Sequence, residues 1–146
     1  MALAAAVASC VILAPSAGAD SGQAIRTQSD RVRCWVAATG SAMSLTPPDG
    51  GGGYVICEAG LGGFDSAPMV PGPPYHMNNA TVDAAGNFSF LLANMGEASE
   101  DQLTLSYGQS YNIQGWTILS GLDGTRFTND ATGRGMFVSI ENTYAF

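Results

Sequence analysis

Short runs of alternating apolar and polar residues recur along this chain, and Gly, Pro, Asn or Asp punctuates the gaps between them. A period of two puts successive side chains on opposite faces, as a half-buried β-strand requires. The pattern is clearest in residues 111–146. There, runs of β-formers at 113–119, 125–128 and 136–140 are separated by the turn-forming stretches 121–124 and 129–133. Helical periodicity is nearly absent. About seven or eight short strands at regular spacing are expected, which calls for an all-β antiparallel sandwich or a small barrel.

Individual runs sharpen this expectation. Residues 31–38 read as a strand whose inward face is Val32, Cys34 and Val36; in residues 54–58, Val55 and Cys57 share a face. Residues 81–93 read as a hairpin, with Gly86 supplying positive φ at the turn and Asp83 capping the turn backbone. Phe88, Phe90 and Leu92 fall on one face of its second arm, and residues 103–107 alternate as a further strand. The run 111–119 has apolar residues on both faces, so it reads as one central strand covered on both sides, with a bulge or close approach at Gly115. The run from Met136 predicts Met136, Val138 and Ile140 facing inward. Residues 20–30 show no period and read as a flexible or edge segment. The acidic stretch 94–102 has room for one helical turn.

Two Gly- and Pro-rich segments interrupt the strands. Residues 39–53 lack the Lys-Ser/Thr of a phosphate-binding loop and read as a linker. Residues 59–78 carry four prolines, which rule out regular ladder pairing, but also Phe64, Met69, Val70, Tyr75 and Met77. Apolar anchors in a long loop imply that it drapes over the core and closes it.

The first nineteen residues differ in composition. Residues 2–14 carry no charge, Pro15 follows, and Ala17-Gly18-Ala19 precedes Asp20. An apolar core ending in a small-x-small site is how a secretory signal peptide ends, although the positive n-region is missing. The expected mature domain is 20–146. A competing lipobox reading of Cys10 is opposed by the apolar run that continues past it. Beyond the leader two cysteines remain, Cys34 and Cys57. An even count in an exported domain points to one disulfide, which would contribute about 3 kcal/mol by restricting the unfolded chain.

Net charge is −7, with five basic residues against twelve acidic ones. Such a chain has no electrostatic footprint for nucleic acid or for anionic lipid. No apolar run is long enough for a membrane helix. The alternation of Val138, Ile140, Tyr144 and Phe146 weakly resembles the last strand of an outer-membrane barrel, but the runs here are too short for one.

The chemistry-bearing residues are few. His76 is the only histidine and stands beside Tyr75. No G-x-S-x-G elbow is present. Asp123, Thr125, Asn129, Asp130, Thr132 and Arg134 form a cluster of polar turn residues, and turn capping accounts for them without a metal. Aromatic residues, Trp116 among them, can pack a core or stack on a sugar or peptide. The reading that follows is a non-enzymatic binding domain without cofactor or metal. It acts at or outside the cell envelope on a glycan, a lipid or a host protein, through the loops 59–78 and 120–135. Its candidate contacts are Tyr75, His76, Trp116, Asp123, Arg126, Asp130 and Arg134. The rival is a secreted carbohydrate hydrolase using two of Asp123, Asp130 and Glu141 as its carboxylate pair.

The strings SYGQSYNIQGWTI and DGTRFTNDATGRGMFVSIENTYAF resemble small secreted proteins of mycobacteria and related actinobacteria. That resemblance implies export across the plasma membrane. It assigns no activity to any residue.

Overall fold

The computed structural model describes residues 22–38 and 53–146. The expected leader, Cys10 and the linker at 39–52 lie outside the described residues. Within them the chain is all β, with eleven strands rather than seven or eight. They are β1 (Gly22–Arg26), β2 (Val32–Ala37), β3 (Tyr54–Ala59), β4 (Asn79–Asp83), β5 (Phe88–Leu91), β6 (Leu103–Thr104), β7 (Ser110–Ile113), β8 (Trp116–Ser120), β9 (Thr125–Asn129), β10 (Gly135–Val138) and β11 (Tyr144–Ala145). They form a six-stranded sheet, β5-β4-β3-β2-β1-β6, and a five-stranded sheet, β11-β10-β9-β8-β7. One buried cluster joins the two. It takes Ile25, Val36, Val55 and Val82 from the first sheet, and Trp116, Ile118, Phe127, Met136 and Val138 from the second.

The inward faces of β2 and β3 are as expected. Val32, Cys34 and Val36 are buried, as are Val55 and Cys57. The two strands pair antiparallel with Cys34 directly opposite Cys57, and those residues form a disulfide. The β4–β5 hairpin also matches. Gly86 has φ +90°, and Asp83 Oδ1 accepts the Asn87 N–H at 2.9 Å. Phe88 and Phe90 pack on the core, but Leu92 lies past the strand end and is exposed.

Four expectations are corrected. First, residues 20–30 include an ordered strand. β1 lies between β2 and β6 and buries Ile25; its five residues offer too few apolar side chains for a period to show. Second, residues 103–107 pair over Leu103 and Thr104 only. That pairing is parallel to β1, so the fold is not wholly antiparallel. Third, the stretch 94–102 forms no helix; its Met95 packs against a second small cluster, Ala37, Tyr54 and Ile56, which also takes in Trp35.

The fourth correction concerns residues 111–119, which form a hairpin. Gln114 and Gly115 both have positive φ (53° and 83°), the signature of a two-residue turn of the primed type. Ile113 pairs directly with Trp116, so both face inward. Ile113, Trp116 and Ile118, which alternation along one strand would split between two faces, lie on one face of two strands, while Leu119 turns outward. Gly115 serves the turn; a Cβ there would meet nothing. Gln114 occupies a conformation that Asn adopts more readily. Gln114→Asn is therefore expected to raise stability by about 0.5–1 kcal/mol, measured as a higher urea midpoint.

The loop at 60–78 drapes as expected. Phe64 and Ala67 are buried in the main cluster. The Asp65 N–H donates to Ile140 O, and Ser66 Oγ donates to Thr143 O, tying the loop to the second sheet. Its ends are held by His76 N–H to Gly62 O and Phe64 N–H to Met77 O. Gly63 has φ +77°, and a Cβ there would strike the His76 carbonyl oxygen, so glycine is required at this crossing.

Candidate functional site

The outward face of the second sheet presents one continuous row. The strand registers place Ser110 beside Leu119, Leu119 beside Arg126, Arg126 beside Phe137 and Phe137 beside Tyr144. Five strands thus contribute one residue each, over a span of about 19 Å. Their inward neighbours Ile118, Phe127 and Met136 are fully buried, so alternation alone turns this row outward.

The row is rich in π contacts. The Phe137 and Tyr144 rings stack at 5.4 Å with 26° between their planes. The Arg126 guanidinium lies 3.5 Å from the centroid of the Phe146 ring. Leu119 and Tyr144 are 47% and 44% exposed, a level at which apolar side chains remain open to a partner. Gly124 allows the close packing beneath: a Cβ there would strike the Phe137 ring. Along the row runs a groove of about 460 Å3, lined also by Gln109, Asp123 and Ser120. Ser120 is buried, and its Oγ has no partner within the described protein. The site therefore combines an aromatic platform, a guanidinium fixed over a ring, and side-chain oxygens at the rim.

The residues expected from sequence divide among separate places. Asp123 and Arg126 belong to this groove. Asp130 lies near the adjacent outward row, where its Oδ1 accepts the Thr117 hydroxyl at 2.5 Å. Arg134 lies exposed on the β9–β10 turn, away from the groove. Its aliphatic stem packs over Gly86, and the neighbouring Thr132 hydroxyl donates to Ala84 O at 2.5 Å, so the β9–β10 turn docks on the β4–β5 turn. Tyr75 and His76 line a different cleft, on the first sheet. Trp116 is corrected outright: it is fully buried in the core and presents nothing to a ligand. The Gln114-Gly115 turn reverses the strand before Trp116 and directs it inward.

Sequence reasoning missed Phe137 as a site residue. The signal was present, since placing Met136 and Val138 inward necessarily turns Phe137 outward. Its company of Arg126 and Tyr144 depends on the registers of three strands.

Two of the three carboxylates of the rival reading share a cavity, and the third lies apart. Asp123 and Glu141 line one narrow cavity of about 100 Å3, but Asp130 lies elsewhere, bonded to Thr117. The Glu141 carboxyl is held below its ordinary value, first by its own backbone N–H and then by the Arg31 guanidinium at 3.0 Å. A group so held stays ionised, which opposes service as a general acid. Among the described residues, no cluster of three or more His, Cys, Asp or Glu is placed to hold a metal ion, and no helix is long and apolar enough to cross a membrane.

No family model, curated protein or solved structure matches the chain. Fold and site together define a class: a disulfide-bonded all-β domain with an aromatic–arginine row across one sheet face.

Proposed function

We propose that this chain is an exported, non-enzymatic binding domain, a two-sheet β-sandwich that docks an envelope carbohydrate on the outward face of its second sheet. The observation that carries this reading is the Leu119–Arg126–Phe137–Tyr144 row, with Phe137 stacked on Tyr144 and Arg126 seated on Phe146. Flat rings present apolar area at low conformational cost, and rim groups such as Gln109 and Asp123 suit sugar hydroxyls. A groove running across strands suits an extended chain. The sandwich reading is supported by the single cluster shared by both sheets. Export is supported by the small-residue site at Ala17-Gly18-Ala19 and by the disulfide, which persists in oxidising compartments.

The test is co-sedimentation with insoluble cell-wall polysaccharide from the producing cells. The parent domain is expected to bind. Phe137→Ala and Tyr144→Ala are each expected to weaken binding about tenfold, as loss of an aromatic stacking surface does. Both variants should keep the parent's circular dichroism. Undiminished binding by both variants overturns the assignment of the face. Release of reducing sugar ends during incubation would favour the hydrolase instead.

A further inference from the structure

The outer face of the first sheet carries a row of different chemistry. The registers align Thr104, Arg26, Arg33, Glu58, Asn79 and Leu91 across all six strands. Arg26 stands directly opposite Arg33, and like charges so placed repel. Three of the chain's five basic residues (Arg26, Arg31 and Arg33) line one cleft of about 720 Å3. That volume suits a small ligand. Asp30 and Glu58 line it with them and Glu141 reaches Arg31, so each of the three guanidinium groups has one carboxylate partner.

The three guanidinium groups are not equally committed. Arg33 is bound to Glu58, with Nε donating to Oε2 at 2.7 Å and Nη2 in close contact, and both side chains are largely buried. Glu58 also accepts from Asn78 and from the Met95 N–H. That pair belongs to the scaffold. Arg26 donates its Nε–H to Thr104 Oγ1 at 2.8 Å and meets Asp30 only at 3.4 Å, and Arg31 meets Glu141 at 3.0 Å, with all four charged side chains substantially exposed. Exposed pairs contribute about 0–1 kcal/mol, so Asp30 and Glu141 are readily replaced as counter-ions.

Part of the lining is apolar and aromatic. Leu61 and Leu92 line the cleft and are exposed, and Tyr75 stands with them. His76 Nδ1 lies 2.6 Å from Ala67 O; because a carbonyl only accepts, Nδ1 carries the proton and the ring orientation is fixed.

We propose that this cleft is a second binding site, for a small amphiphilic oxyanion. A phosphate or carboxylate head replaces Asp30 and Glu141 on Arg26 and Arg31, and a short apolar chain lies over Leu61 and Leu92. Guanidinium forks match both kinds of head. No residue is shared with the carbohydrate face, so either proposal can fail alone.

The test is calorimetric titration of the intact domain with octyl phosphate, octanoate, inorganic phosphate and octyl glucoside, each below its micelle concentration. One or both octyl anions are expected to bind, and their difference identifies the preferred head. Octyl glucoside, which has the tail without the charge, is expected not to bind, and inorganic phosphate to bind more weakly than octyl phosphate. Affinity for the octyl anions should fall as salt rises. The R26Q/R31Q double variant should lose at least about tenfold, with its thermal midpoint near the parent's. Phe137→Ala should bind like the parent. Equal binding of octyl glucoside, no binding of either octyl anion, or unchanged affinity in the double variant would overturn the proposal. Should that variant fail to fold, the salt series and the Arg31→Gln single variant decide the matter in the same way.

Discussion

Phe64→Ala is expected to lower stability by about 3–5 kcal/mol, the range for truncating a buried aromatic residue. Phe64 is fully buried although it lies in a loop, and its ring meets Phe90 at 6.4 Å. The loop around it closes the core from the side. Its backbone is pinned at Gly62 and Phe64 to residues 76 and 77, and at Asp65 to Ile140 in the β10–β11 connection. Removing the ring leaves a cavity that these anchors prevent from collapsing, so the loss should lie well above that of a surface change. The measurement is urea denaturation, with the midpoint falling at constant slope. Limited proteolysis should also speed up within residues 68–74. A loss below about 1 kcal/mol, the range of surface substitutions rather than core ones, would mean that the loop covers the core without completing it.

Cys34→Ser should cost about 3 kcal/mol and lower the thermal midpoint by roughly 10 °C under non-reducing conditions. The bridge joins directly paired residues of β2 and β3 across a sequence separation of 23. It holds the segment 35–56 as a closed loop in the unfolded chain, and most of its stabilisation acts there. Both cysteines are buried, so the serine hydroxyl would add a desolvation cost of its own. A Cys34→Ala/Cys57→Ala variant separates the two effects, since it removes the cross-link without burying a hydroxyl. It should recover part of the loss and no more. An unchanged midpoint in both variants would show that the bridge adds no stability.

These two predictions differ in how far they were legible from sequence. The cysteine pair followed from an even count and from alternation that set Cys34 and Cys57 on inward faces. Phe64 followed only in kind, as one apolar anchor among several in a Pro-rich loop. Met69 in the same loop is 52% exposed, and nothing local distinguishes the two. The stretch 111–119 was misread for a physical reason. Gln114 is not a residue that announces positive φ, so an Asn-Gly type of turn was hidden behind Gln-Gly, and Trp116 was assigned to the wrong surroundings. β6 was legible as a strand but not as a partner, because a two-residue parallel pairing with β1 leaves no trace in local pattern.

The candidate face shows the same division. Sequence by itself determined the all-β class, most turns, the disulfide pair and the inward faces of β2, β3 and β10. Those features depend on φ preferences, alternation and the apolar character of neighbouring residues, all of which act within a few positions. Only the tertiary structure decided that Leu119, Arg126, Phe137 and Tyr144 share one row, and that Arg26, Arg31 and Arg33 share one cleft. A one-residue slip in any register would turn that strand's contribution to the other face. What selects the register is the burial of Trp116, Ile118, Phe127, Met136 and Val138 against the first sheet, a constraint held jointly by residues far apart in the chain.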